Sequence, residues 1–176
     1  MLVAFITTQL EKVIWNFRKG RSRVMEKNQT LILGWNQRVM DIIRELIIAN
    51  ESEKKASIVI IADREKEEMD EEINQVFRKT KNTKIITRKG SPSSLPNLKS
   101  LNAFFAKSAI VLADCEETAS EERKLESDAK VFKSVLALNS IKGNSNLNIV
   151  ADLFFDNSRE LIKTFKSENI VFIKNW

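Results

Sequence analysis

Two short stretches hold the residue types on which ligand chemistry would rest. The first, Gly34-Trp35-Asn36-Gln37-Arg38-Val39, closes the apolar run TLILG (30–34) and opens a helical pattern. A strand, a glycine turn and a helix in that order leave backbone N–H groups free at a helix start, where an anion such as a diphosphate can bind. The full dinucleotide fingerprint uses three glycines: for a tight turn, for close approach to the diphosphate and for helix–sheet packing. Here only the first, Gly34, is present. Asn36 stands where a side chain crowds the diphosphate, and Val39 holds the helix off the strand. Asp63, ending the second apolar run, has the place of a ribose-binding acid, and Arg88, Gly90 and Ser91 after the third run offer an anion cradle together with Gly34. The same residues have a purely structural alternative: a vestigial turn filled by Trp35, and a glycine turn with a helix cap at Ser91 or Ser93.

The second stretch is acidic, DCEETASEERKLESD (114–128). A hard cation such as Ca²⁺ takes several oxygen ligands from flexible segments, and Asp114, Glu116, Glu117 and Asp128 are the candidates, without the spacing of an EF-hand loop. The other acidic run, DREKEEMDEE (63–72), has Lys and Arg interspersed on a helix and reads as a solvated face. The chain has no histidine, which excludes Ser-His and Cys-His nucleophile pairs and histidine-ligated zinc. Its one cysteine, Cys115, excludes an internal disulfide and fits a reducing compartment.

Elements that could position these residues follow in strict alternation. Apolar runs at 30–34, 56–63, 83–90, 107–114, 146–152 and 169–174 predict six strands, and the continuous β-branched run at 56–63 is the mark of one buried on both faces. Between them lie a helix capped by Asn36 (Val39, Ile42, Ile43, Leu46) and a charged helix over 64–78 with an apolar stripe of Met69, Ile73, Val76 and Phe77. After these come a turn with a short helix at 91–102, a helix capped by Ser127 that buries Val131, Phe132, Val135 and Leu136, and a helix over 157–167. Strands alternating with helices imply parallel βαβ units, hence a Rossmann-like doubly wound, mostly parallel six-stranded sheet with helices on both faces. Its ligand crevice belongs at the carboxyl ends of the strands.

A length of 176 residues, 43% hydrophobic and 30% charged, describes one globular domain. Of the +5 formal charge, +4 falls on residues 1–28 and only +1 on the remainder, which argues against a nucleic-acid-binding stripe on the domain body. The opening MLVAFITTQL is too short to span a bilayer, which takes roughly 20 residues. Positive charge after an apolar run matches the cytoplasmic end of a membrane helix. An amphipathic helix packing on the domain or on a partner is the alternative. Trp15 and Phe17 would then either anchor at a lipid interface or pack on the body.

GRSRVMEKNQTLILGWN, followed by IIRELIIANESEKKASIVIIAD, resembles the segment of Castor/Pollux-type ion channels that runs from the pore helix into the regulator-of-K⁺-conductance (RCK) domain. NTKIITRKGSPSSLPNL, AKSAIVLAD and ESDAKVFKSVLAL extend the likeness in consistent order over nearly the whole chain. The resemblance implies a Rossmann-like lobe beneath a pore, on the cytoplasmic face of a membrane. Copies would assemble into a ring whose ligand-dependent changes pull on the pore-lining helices. Residues 1–28 would be the end of the pore helix and a basic linker, with Gly20 as its flexible point, and residues 29–176 the RCK N-terminal domain. Calcium regulation is implied by the resemblance rather than by any spacing. The partners so implied are further copies of the chain and a pore-forming membrane domain, with a cation or a nucleotide as ligand and no nucleic acid. No selectivity filter is present, so the chain by itself conducts no ions. A nucleotide-binding regulatory subunit of a K⁺ transporter shares the fold but should keep Gly-x-Gly-x-x-Gly. An NAD-dependent oxidoreductase would need an acid/base pair and a substrate domain, and neither is evident.

Overall fold

The computed structural model describes residues 22–141, 147–163 and 169–174. The expected pore-helix end and most of the basic arm, residues 1–21, lie outside the described residues. Six strands, β1 (Thr30–Leu33), β2 (Ala56–Ala62), β3 (Thr83–Lys89), β4 (Ser108–Val111), β5 (Asn148–Leu153) and β6 (Ile170–Lys174), form one sheet in the order β3-β2-β1-β4-β5-β6. Every pairing is parallel, with Thr30 opposite Ile58 on one side and Ser108 on the other. A parallel strand is covered on both faces, so β1 and β2 are apolar along their length, and Leu31, Ile32, Leu33, Ile58, Val59 and Ile60 are fully buried.

The helices are α1 (Val39–Ala49), α2 (Lys66–Val76), α3 (Leu95–Ser100), α4 (Glu121–Asn139) and α5 (Asp156–Lys163), with a 3-10 turn at Ala103–Phe105. On one face α1 and α2 bury Val39, Ile43 and Ile73 against Ile32, Ile58 and Ile60. On the other, α3 and α4 bury Leu98, Val131 and Val135 against Leu31, Leu33, Val59 and Ile61. The sheet is therefore doubly wound. Its connections diverge between β1 and β4, which opens a crevice at the carboxyl ends of those strands.

Three local expectations are corrected. Helix α4 starts one and a half turns before Ser127: Ser120 is its N-cap, accepting from Arg123 N–H, and Glu121 and Glu122 sit in the first turn, where the helix dipole favours acids. Ser127 lies inside the helix, and its hydroxyl accepts from the Asp114 N–H at 2.9 Å. Asn36 does not cap α1 directly; its Oδ1 accepts from Arg38 N–H at 3.0 Å, closing a turn before the helix. Val76 ends α2 substantially exposed rather than within the apolar stripe, while Met69 and Ile73 are buried as expected. The charged face of α2 is solvated, with Arg64 pairing to Glu68 and Glu72, and Lys66 to Asp70.

Candidate functional site

At the carboxyl ends of β1, β2 and β3 lies a cavity of about 480 Å³, within the usual span of small-molecule sites. Gly34 and Trp35 form one wall, Asp63 and Arg64 another, Ser91 to Ser93 a third, and Asp114 with Lys130, Lys133 and Ser134 of α4 the fourth. Gly34, Asp63 and Ser91 are thus brought together in one cavity, as their positions at strand ends predict.

Gly34 is required by the chain itself. Its φ of +107° is one that side chains avoid, and a Cβ there would stand 2.9 Å from the Leu112 carbonyl oxygen. Its N–H bonds to the Ile61 carbonyl, so the turn is held between β2 and β4. Asn36 completes the hold: its Nδ2 donates to the Ala113 carbonyl at 2.9 Å, carrying the turn across to the end of β4. The amide therefore lies over the switch point, where the fingerprint's second glycine would leave open backbone for a diphosphate. Trp35 is half-buried against the α1–α2 core, with the Arg64 guanidinium 5.3 Å from its ring centre. Asp63 is exposed at the end of β2.

Arg88 is not in this cavity. Its guanidinium turns to the chain's approach to β1: Nε donates to the Ser22 carbonyl at 2.9 Å, Nη2 to the Ser22 hydroxyl at 3.1 Å, and Nη1 to the Thr87 carbonyl at 2.8 Å. Burial pushes its pKa below the ordinary value, opposed by the negative charges of Glu26 and Asp70. Gly90 allows close packing of α3, since a Cβ would meet Asn97 Nδ2 at 2.6 Å. Ser91 and Ser93 face each other across 3.2 Å and leave the N-cap position of α3 to Ser94.

The four acids proposed as cation ligands are not gathered. Asp128 is buried inside α4, and its two oxygens accept from Phe154 N–H at 2.9 Å and Phe155 N–H at 3.1 Å, which ties the end of β5 to the helix. Asp114 pairs with Lys130 at 2.6 Å and Arg123 at 3.1 Å. Burial alone would raise its pKa, but bonds from Lys130, Arg123 and Ser127 outweigh that and hold it below the ordinary carboxylate value. Glu116 and Glu117 are exposed, and Glu116 accepts from Gln37. Among the described residues no three acidic or thiol side chains are placed to hold a metal ion.

Sequence reasoning missed the contribution of α4. Lys130, Lys133 and Ser134 recur at helical spacing and would have been legible as one face had the helix been started at Ser120. It also missed the fixing of residues 22–29 to the body. Val24 is buried, and its N–H donates to the Ser100 carbonyl at 2.8 Å. Asn28 N–H donates to the Phe105 carbonyl at 2.7 Å, and Asn102 Nδ2 to the Glu26 carbonyl at 2.7 Å. Gln29, fully buried, donates to the Leu101 and Asn102 carbonyls at 3.1 and 3.0 Å. The segment that follows β3 thus lines the crevice at Ser91–Ser93 and grips the approach to β1 at Ser100–Phe105.

Comparison with known proteins gives a consistent result. The profile of the calcium-activated potassium channel slowpoke-like RCK domain matches residues 26–151. The chain is 34% identical to the probable ion channel CASTOR of Oryza sativa subsp. japonica over 93% of its length, and 32% identical to the probable ion channel POLLUX of Arabidopsis thaliana over 96%. It spans 18% and 20% of those relatives. Among solved structures, the GsuK channel bound to NAD superposes with a TM-score of 0.57 over 97% of this chain and 27% of that one, at 18% identity. The human SLO3 gating ring does so at 0.52 over 82% of this chain and 24% of that one, at 14% identity. These structural likenesses show the fold.

Proposed function

The chain belongs to the slowpoke-like RCK domains of the Castor/Pollux type of ion channel, and we propose that it is the regulatory gating unit of such a channel, working by binding and assembly and not by covalent chemistry. Its crevice takes a ligand, and the strain of taking it reaches the pore through residues 22–29. Residues 91–106 carry the proposal: Ser91 and Ser93 line the cavity, while Ser100, Leu101, Asn102 and Phe105 hold the approach to β1 by five hydrogen bonds. Packed segments of this kind do not deform continuously, so a ligand that draws the Ser91–Ser93 turn inward displaces α3 as a unit. Such a ligand shifts the equilibrium only by its different affinity for the two positions of α3.

A nucleotide is the ligand class that fits the cavity better than Ca²⁺. Asp63 is set to accept sugar hydroxyls, and Ser91, Ser93, Lys130 and Lys133 supply donors and positive charge for phosphate, whereas Asp114 and Asp128 are engaged within the fold and no three acids are gathered among the described residues. The GsuK structures include one bound to NAD and one bound to ADP, which is a property of that protein. The transporter-subunit alternative is disfavoured by Asn36, which closes the switch point that a dinucleotide would cross. Further copies of the chain and a pore domain are the partners of this function, on the cytoplasmic side of a membrane; none of the described helices is long and apolar enough to cross one.

The test is electrical recording from a channel that carries this domain, before and after Arg88→Ala. Loss of the Ser22 contacts should weaken the response of open probability to ligand while leaving ligand affinity of the isolated domain within about twofold. An unchanged response would refute the coupling through the residues 22–29 that Arg88 helps to hold at Ser22.

A further inference from the structure

The body is nearly neutral in sequence, yet its charge is sorted by the sheet. All six strands run the same way, so the segments entering their amino ends share one edge of the domain, and those leaving their carboxyl ends share the other. Arg23 and Lys27 enter β1, and Lys54 and Lys55 enter β2. Arg78, Lys79 and Lys81 enter β3, and Lys107 enters β4. The acids in the same described segments are Glu26, Glu51 and Glu53, and two of them are already paired, Glu26 with Lys84 and Glu51 with Lys81. On the opposite edge the signs are mixed: Arg38, Arg64, Lys89, Arg123, Lys130 and Lys133 stand with Asp63, Glu65, Asp114, Glu116 and Glu117, and Lys89 pairs with Glu65 and Lys130 and Arg123 with Asp114. The strand amino-end edge therefore carries a net positive excess, and the crevice edge is mixed.

Helix dipoles do not account for this. The carboxyl ends of α1, α2 and α4 lie at the basic edge and bring roughly half a negative charge each, which the net excess of eight basic over three acidic side chains still exceeds. The same edge carries exposed apolar groups beside the approach to β1. Met25 is 75% exposed, Phe104 43% and Phe105 45%, the two rings packed edge to face. Lys27 lies 4.7 Å from the Phe105 ring centre, so cation and aromatic share one patch. Basic side chains around exposed aromatic and thioether groups are the composition of a surface that rests on an anionic bilayer.

We propose that the strand amino-end edge docks on an anionic lipid surface. Lys54, Lys55, Arg78 and Lys79 would face headgroups, and Met25, Phe104 and Phe105 would enter the interfacial layer. This rests on the gating reading only in that residues 22–29 lead toward a membrane; it requires no ligand in the crevice, which opens on the opposite edge. A nucleic acid is the weaker partner because Lys27 packs on the Phe105 ring beside exposed Met25 and Phe104, apolar surface that an interfacial layer can bury and a phosphate strand cannot.

The experiment is sedimentation of the full 176-residue chain with vesicles of phosphatidylcholine alone and of roughly two parts phosphatidylcholine to one part phosphatidylserine. Variants are Lys54→Glu/Lys79→Glu and Phe104→Ala/Phe105→Ala, each checked by circular dichroism for an intact melt. Residues 1–21 are unchanged in all of them, so any lipid affinity of that arm is common to every measurement. Each basic side chain near an anionic leaflet strengthens partitioning about fivefold, so the double charge reversal should weaken it more than tenfold on the mixed vesicles. The double alanine variant should weaken it severalfold, and salt at about 0.5 M should release the wild type. Partitioning unchanged by the charge reversal, equal affinity for both vesicle types, or tighter binding to duplex DNA than to the anionic vesicles at the same salt would each overturn the proposal. None of these results bears on the ligand response of the crevice, which is judged by channel recording.

Discussion

Replacing Asp128 by alanine separates two accounts of the acidic segment. If Asp128 were a cation ligand, the metal-free protein would lose little stability and would lose its stabilisation by Ca²⁺. In the structure it is a brace: a buried carboxylate takes the N–H groups of Phe154 and Phe155 where the chain leaves β5. Hydrogen bonds to a charged group contribute about 1.5–3 kcal/mol each, and the two N–H groups left behind would be only partly reached by water. With Phe154 and Phe155 half-buried, a total loss of about 3 kcal/mol is expected. At a urea m-value of about 2 kcal/mol/M this lowers the midpoint by about 1.5 M. Asp128→Asn keeps one acceptor and should fall between. The assay is urea unfolding of both variants in EDTA and again in millimolar Ca²⁺. A loss below about 0.5 kcal/mol, or one that appears only as missing calcium stabilisation, would refute the brace.

Gly34→Ala should cost about 2–3 kcal/mol in the same assay, since the new Cβ meets the Leu112 carbonyl oxygen in a backbone conformation that side chains avoid; a neutral effect would show that the turn is looser than described. Asp114 has a lowered folded-state pKa, so it contributes stability above its unfolded value and loses that contribution as pH falls through the folded one. The stability difference between wild type and Asp114→Asn should therefore be largest near neutrality and shrink between about pH 5 and about pH 3; a difference that grows on acidification has the wrong sign for this account. Gln29→Leu removes both bonds to the 101–102 segment and should lower stability by about 2 kcal/mol, read as a Tm shift of several degrees; a shift below one degree would mean that this clamp holds little.

Strands were the most legible part of the molecule. Runs such as ASIVIIA have no polar face to place, which favours parallel, doubly covered strands, and the βαβ alternation then implies a doubly wound sheet whose order, β3-β2-β1-β4-β5-β6, the structure supplies. Helix starts were less legible. Ser120 and Ser127 are both competent caps seven residues apart, and only the packing of Asp114 N–H on the Ser127 hydroxyl decides between them. The cavity's strand-end residues, Gly34, Asp63 and Ser91, were readable because the ends of parallel strands converge whatever else varies. Arg88 was misplaced for a definable reason: as the sixth of seven residues in β3 its side chain takes one face of the sheet, and that face meets Ser22 rather than the crevice. The grip of residues 100–105 on 24–29 was not legible because its acceptors are all backbone carbonyls, and no spacing in the sequence says where the side-chain amides of Gln29 and Asn102 will find them.

The central claim is that occupancy of the crevice is felt at the approach to β1, and amide hydrogen exchange on the isolated domain tests it most directly. The reporting amides are Val24, bonded to Ser100, and Asn28, bonded to Phe105. Saturating ADP should change their protection together with that of Leu98 and Leu101, while amides on the far face at Ile43 and Ile47 stay constant. Binding of ADP with no change at Val24 and Asn28, or a change spread evenly over both faces, would contradict it.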